Sequence, residues 1–299
     1  MLLSHDITLS ASGDGKYVPL YVLVTRYNLP MRGELSRAEK QRWLDSRLRL
    51  FRDFCLTSVL AQTKKPDLWI LGLDVDERDL VEPVLDTIKG HPWMVPAWVG
   101  QTGSSKKGWS SAIRGEIRAR FHDAVSHVAL TRLDSDDALG RTYMQQVAEY
   151  SRMVARNRPE LNEFWIAFPL GVDYFNRRCY LHIYPGNAFQ TVVLRRSEVR
   201  KRERFFVDHS TLLSGDYTVF LPATPVPMWL RNIHEGTILN ARGREARLAL
   251  VPTRRALRGF GLDPETLEKL QPSGWRAYRD RVLTPARARL RSIRRALRR

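Results

Sequence analysis

The sequence predicts an α/β fold in which a central, mostly parallel sheet is flanked by helices. Three observations predict it. From Tyr17 to about Arg156, short apolar runs alternate with segments of helical period, the pattern of a parallel sheet covered on both faces. The apolar runs are nearly continuous and rich in β-branched and aromatic residues, as in strands buried on both sides. Acidic residues follow directly after such runs, and the carboxyl ends of parallel strands are where open α/β sheets bind ligands.

Each element can be justified in order. Tyr17–Val24, continuing through Thr25-Arg26-Tyr27-Asn28, reads as the first strand. After a polar loop, residues 42–62 carry Trp43, Leu44, Leu48, Phe51, Phe54, Cys55 and Val59 at helical spacings, and Lys64-Lys-Pro-Asp67 ends the helix. Leu68–Leu73 is a strand entering Asp74-Val-Asp76, residues 77–89 a helix, and Trp93–Val99 a strand. Residues 110–125 place Ile113, Ile117, Phe121 and Val125 on one helical stripe. Val128–Leu133 is a strand that runs into Asp134-Ser-Asp-Asp137, and residues 140–156 form a helix. The second half differs: Phe164–Leu170, Tyr180–Tyr184, Phe189–Leu194 and Thr218–Leu221 are short strand-like runs divided by Gly, Pro and Asn, expected to form a mixed-sheet extension for a second substrate. No internal repeat is apparent. The expected organisation is a domain over 1–262, with a first half over about 17–157 and a second over about 158–262, followed by a basic helical tail over 263–299.

With 299 residues the chain is long enough to bury a core without disulfides. Its two cysteines, Cys55 and Cys179, read as reduced thiols. Met1-Leu-Leu-Ser-His-Asp-Ile has no basic segment leading into an apolar one, and no apolar run approaches a membrane span, so the expected location is the cytoplasm. About half of the net charge of +17 sits at the end, where residues 275–299 hold ten arginines and a single acid, Asp280. Within residues 285–299, Ala286, Leu290, Ile293 and Leu297 form a narrow apolar stripe among arginines, which suits an anionic membrane surface at the inner face. A solvated or packed helix and a nucleic-acid contact are the other readings of the same segment.

Asp134, Asp136 and Asp137 fall at a strand's carboxyl end. Three carboxylates in one dry site repel each other, and a bound Mg²⁺ or Mn²⁺ removes that cost. In extended backbone Asp134 and Asp136 face the same side. The other reading is that Asp136-Asp137 caps the helix that follows. The two are compatible, with Asp137 as cap. Asp74-Val-Asp76-Glu77 is a second acidic stretch after a strand, ranked below the first as a ligand site.

Four blocks, in order, carry a resemblance: Val24-Thr-Arg-Tyr-Asn28, Leu50-Phe-Arg-Asp-Phe-Cys-Leu-Thr-Ser-Val-Leu-Ala-Gln-Thr63, Thr131-Arg-Leu-Asp-Ser-Asp-Asp-Ala-Leu139 and Met228-Trp-Leu-Arg-Asn-Ile-His-Glu-Gly236. The chain resembles the rhamnosyltransferase family, which is similar to glycosyltransferases of the GT-A (Rossmann-like) fold. The resemblance spans roughly residues 20–240. It implies a nucleoside-diphosphate sugar donor, a divalent metal (Mn²⁺ or Mg²⁺) and a glycan or glycolipid acceptor hydroxyl; rhamnose as the donor sugar follows only from the family label. It implies that Asp134 and Asp136 hold metal and diphosphate, that Thr25, Arg26 and Asn28 grip base and ribose, that Asp74 contacts the base, and that His234 completes the metal shell.

The departing diphosphate develops negative charge, which a cation stabilises and which Arg26, Arg132, Lys106 or Lys107 can share. An inverting transfer also needs a base for the acceptor proton. Asp208 is favoured, with His209, Asp173 and Asp216 as other candidates; a structural role for Asp208 and His209 competes with this. Trp165, Tyr174, Phe175, Tyr180, Tyr184 and Trp229 are dense enough to line a sugar cleft, although core packing explains most of them. Two other activities compete. A nucleic-acid-binding protein would use the arginine tail, but no recognisable nucleic-acid motif accompanies it. A metal-dependent nucleotide phosphohydrolase would use the same carboxylates.

Overall fold

A computed structural model describes residues 17–29, 36–100, 105–175, 177–201, 205–209, 211–234 and 247–270. Four parallel strands form the centre of a seven-stranded sheet: β1 (Pro19–Arg26), β2 (Leu68–Asp74), β3 (Met94–Val99) and β4 (His127–Arg132). Three strands from the second half complete it: β6 (Glu163–Ala167), β9 (Gln190–Arg195) and β10 (Val219–Phe220), in the order β10-β6-β9-β4-β1-β2-β3. A second, five-stranded sheet has the order β12-β8-β7-β11-β5. It contains β5 (Ala138–Leu139), β7 (Leu170–Phe175), β8 (Arg178–Ile183), β11 (Trp229–Asn232) and β12 (Arg247–Val251). The mixed α/β class follows the sequence expectation, but the second half is no separate extension. Its strands divide between two sheets, and β5, from the first half, joins the second one.

All seven residues of β2 are buried, as the unbroken apolar run requires. One face of the large sheet, through Leu23, Trp69 and Ala129, meets Leu44, Phe51, Tyr143 and Val147. The other, through Val22, Ile70 and Leu130, meets Trp109, Ile113 and Ile117. Apart from Phe51, which follows α1 directly, these belong to α1 (Arg37–Leu50), α4 (Ser105–Arg118) and α5 (Tyr143–Asn157). The first helix begins five residues before its expected start, because Ser36 and Glu39 close a capping box. A π-helical turn, Phe51–Leu56, interrupts it before α2 (Thr57–Leu60). The widened turn lets Phe51 and Cys55 face the large sheet while Phe54 packs with Val172, Tyr174 and Leu230 of the small one. The helix expected over 77–89 is divided: Asp74 caps a 3₁₀ segment, Val75–Leu80, and Pro83 restarts the chain as α3 (Glu82–Ile88).

After β9 comes α6 (Arg196–Lys201). The small sheet is covered by α7 (Thr253–Gly259), α8 (Pro264–Leu270) and the turn between them, whose Leu257, Phe260, Leu262 and Leu267 pack with Val172, Cys179 and Leu230. Both cysteines are buried and free. The arginine-rich segment 285–299 lies outside the described residues. Among the described residues no helix is long and apolar enough to cross a membrane.

Candidate functional site

The acidic loop is the seam between the two sheets. Residues 133–137 leave the carboxyl end of β4 and enter β5, which pairs antiparallel with β11 through Trp229↔Leu139 and Leu230↔Ala138. Helix α5 starts only at Tyr143, so Asp136-Asp137 does not cap it. The capping expectation is therefore corrected. Asp137 instead accepts a hydrogen bond from the Asn232 backbone N–H at 2.8 Å, and the α5 amide of Met144 is met by Gln62 Oε1 at 3.1 Å.

Gln62 and Ser58 hold this loop's far side. Gln62 Nε2 donates to Gly140 O at 2.8 Å and Ser58 O at 3.1 Å. Ser58 Oγ accepts from Leu139 N at 3.2 Å. Trp229 lies flat on β7 at Gly171, where a Cβ would come within 2.1 Å of the indole, so glycine is required for β11 to sit there. All four sequence blocks thus converge on one loop: the first through Val24 and Arg26, the helix block through Ser58 and Gln62, the aspartate block itself, and the late block through Trp229, Asn232 and His234. The last two residues of that block, Glu235 and Gly236, are outside the described residues.

Within the loop the carboxylates have separate surroundings. Asp134 sits 3.3 Å from Arg132 Nη2 and 3.9 Å from Arg26 Nη2. Burial would raise its pKa, but Arg132, Arg26 and Arg47 more than offset this and hold it below the usual carboxylate range. Asp136 Oδ2 contacts His234 Nε2 at 2.9 Å and its Oδ1 lies 3.9 Å from Arg47 Nη1. Asp137 is pushed well above the usual carboxylate range by burial and then by the charges of Asp136 and Asp134. Asp134 and Asp136 therefore do not depend on a cation alone for compensation, because arginines from β1, α1 and β4 flank them. Arg47 was missed by sequence reasoning. It is one of four arginines in α1, and only its spacing of four from Trp43, on whose ring it stacks at 4.8 Å, sets it apart.

The other expected residues form separate groups. Asn28 and Asp74 meet at the ends of β1 and β2: Asp74 N donates to Asn28 Oδ1 at 3.0 Å, and Asn28 Nδ2 donates to Glu77 Oε2 at 3.0 Å. Lys40 pairs with Glu77 at 2.7 Å. Burial, with Glu77 and Asp76 adding to it, raises Asp74 despite the hydrogen bond from Asp76 N. Thr25 is buried and its hydroxyl accepts from the Trp69 indole at 2.9 Å, so it serves the core. Asp208 is exposed, 3.8 Å from His209 Nδ1, and Asp216 is exposed. His209 packs edge-on against Tyr184, which stacks on His182. Asp173 is buried in β7, where Arg231 Nε and Nη2 both donate to it at 3.0 Å and His182 Nδ1 lies at 3.3 Å. The side chains of Lys106 and Lys107 fall outside the described residues.

Among the described residues no three His, Cys, Asp or Glu side chains gather in metal-binding geometry. A carboxylate and an imidazole in contact, Asp136 and His234, nevertheless fit a cation that takes its remaining ligands from water and substrate phosphates.

The family model described as "Putative rhamnosyl transferase" matches residues 21–241. No curated protein matches the chain. Among solved structures, HddC from Yersinia pseudotuberculosis is similar at 11% identity and a TM-score of 0.35, over 68% of this chain and 90% of that one. TarS of S. aureus is similar at 9% identity and a TM-score of 0.40, over 71% of this chain, which spans only 36% of TarS. Mannose-6-phosphate isomerase from Helicobacter pylori is similar at 11% identity and a TM-score of 0.28, over 58% of this chain and 70% of that one.

Proposed function

The chain belongs to this rhamnosyl transferase family, and from that premise we propose that it moves a sugar from a nucleoside-diphosphate donor to a hydroxyl of a glycan or glycolipid, with inversion, on a GT-A-type scaffold. The observation that carries this reading is the convergence of sequence blocks 98 residues apart on the Asp136–His234 contact, at the carboxyl edge of the parallel sheet. Asp136 and His234 would hold a divalent cation, with Asp134 beside them. When bound, the cation would supply Lewis-acid stabilisation to the departing diphosphate. Arg26 and Arg132 keep Asp134 ionised and present positive charge on the same side. Asn28 and Asp74, fixed to one another at the neighbouring strand ends, offer polar groups to a base and ribose.

For the acceptor proton the reading assigns Asp208. Asp173 is occupied on both oxygens by Arg231 and His182 and is buried, whereas Asp208 is exposed to an incoming hydroxyl. Titration calorimetry with a panel of nucleoside diphosphates, with and without Mn²⁺, tests the donor site. Binding strengthened by Mn²⁺ is expected, with Asp136→Ala and the isosteric Asp136→Asn both losing the metal's contribution. A folded wild type that binds no nucleotide under either condition sinks the reading. Asp208→Asn is expected to leave nucleotide affinity unchanged and lower kcat by about 100-fold or more; an unchanged kcat removes it as the base.

A further inference from the structure

We propose that Arg26, Arg47 and Arg132 bind the donor's diphosphate directly, with Arg47 as the member held ready for it. This rests on the nucleotide-sugar reading above and adds a binding group to it. The three guanidinium groups come from different elements, β1, α1 and β4, and all reach the same short loop. Their side chains are 33%, 21% and 19% exposed, buried enough to strengthen a charge contact and open enough to admit a ligand.

Local charge supports an anion. Three guanidinium groups stand against the carboxylates of this loop, Arg26 and Arg132 at Asp134 and Arg47 at Asp136. Arg26 and Arg132 share one carboxylate, so their positive charge exceeds what Asp134 alone offsets. Arg132 adds a specific donor: its Nε is buried and has no hydrogen-bond partner among the described residues. A buried donor left unsatisfied costs free energy that a phosphate oxygen would recover.

Arg47 is preorganised on three sides. It stacks on Trp43 at 4.8 Å, donates to Ser135 Oγ, and stands 3.9 Å from Asp136. A guanidinium fork fixed in this way matches a phosphate in two places, which a flexible ammonium does not.

The experiment is calorimetry of the full chain with the best-binding nucleoside diphosphate, in EDTA and in Mn²⁺, for wild type, Arg47→Ala and Arg47→Lys. Arg47→Ala is expected to weaken binding about 10- to 100-fold in both buffers, with Arg47→Lys intermediate. The unphosphorylated nucleoside is expected to bind wild type and Arg47→Ala equally. Affinities for the diphosphate that are the same in wild type and Arg47→Ala overturn the proposal while leaving the transferase reading standing. An equal loss for the bare nucleoside also overturns it, because that marks damage to the pocket rather than to a phosphate contact. Failure of wild type to bind any nucleotide removes the parent reading and this one with it.

Discussion

The large sheet buries hydrocarbon and hydroxyl groups within β1, β2 and β4, and its charges, Arg26, Asp74 and Arg132, stand at strand ends. The small sheet does the opposite, burying a carboxylate, an imidazole and a carboxamide, Asp173, His182 and Asn232, within β7, β8 and β11. The difference separates two ways of specifying structure. Apolar burial is strong and non-directional, so the large sheet supplies a rigid edge from which side chains project. A buried ion pair contributes little net stability but penalises any arrangement that leaves one partner alone. In the small sheet that penalty ties the register of β11 against β7 to the Arg231–Asp173 fork, since the two residues are direct partners across the strands. We take that register to matter because Asn232, the next residue, holds Asp137.

Breaking the fork is therefore the most damaging single change. Asp173→Asn removes the charge and one acceptor from the half-buried Arg231 guanidinium, with an expected cost of about 2–4 kcal/mol in chemical denaturation. The sign with pH can be worked out. Burial alone would raise Asp173, but His182 and Arg231 outweigh it and leave it below the usual carboxylate range. A carboxylate lowered in the folded state contributes stability above its unfolded pKa and loses it as pH falls through the folded one. The gap between wild type and Asp173→Asn should thus narrow on acidification below the usual carboxylate range. Equal stability of the two proteins at neutral pH would erase the distinction between the sheets.

The same contrast explains what could be read from the sequence. The parallel strands β1 to β4 were legible because continuous burial forces continuous apolar runs, and the acidic loop was legible because it interrupts one. Helix ends were read less well: Ser36 and Glu39 announce a start that apolar periodicity alone places later. The small sheet was obscure because Asp173 and His182 carry no periodic signal, and their pairing depends on a hairpin register, Asp173↔Tyr180 beside Gly171↔His182, that no local pattern encodes. Arg47 was hidden for another reason. In an arginine-rich chain, an inward-facing arginine of α1 has the same local signature as its solvated neighbours. Ser58 and Gln62 stand in the block Leu50–Thr63 that carries part of the resemblance, but their task lies 78 or more residues away, at Leu139, Gly140 and Met144.

Gln62 offers the finer test, because it joins the two regions without belonging to either sheet. Its amide donates to Gly140 O and its carbonyl accepts from Met144 N, so it fixes the exit of the acidic loop and the first turn of α5 together. Gln62→Ala leaves both groups without that partner in a buried place, with an expected cost of about 1–3 kcal/mol. Gln62→Glu separates the two bonds. A carboxylate still accepts from the helix amide, where the N-terminal dipole favours negative charge, but it turns an acceptor toward Gly140 O. Gln62→Glu should therefore destabilise less than alanine if the helix contact dominates and at least as much if the loop contact does. Nucleotide affinity should follow the loop contact, because Gly140 lies three residues after Asp137 whereas Met144 lies inside α5. A glutamate variant with wild-type stability and weakened nucleotide binding would place the loop's positioning in the Gly140 bond. Wild-type affinity in both variants would show that the small-sheet pairing of β5 with β11 holds the loop unaided.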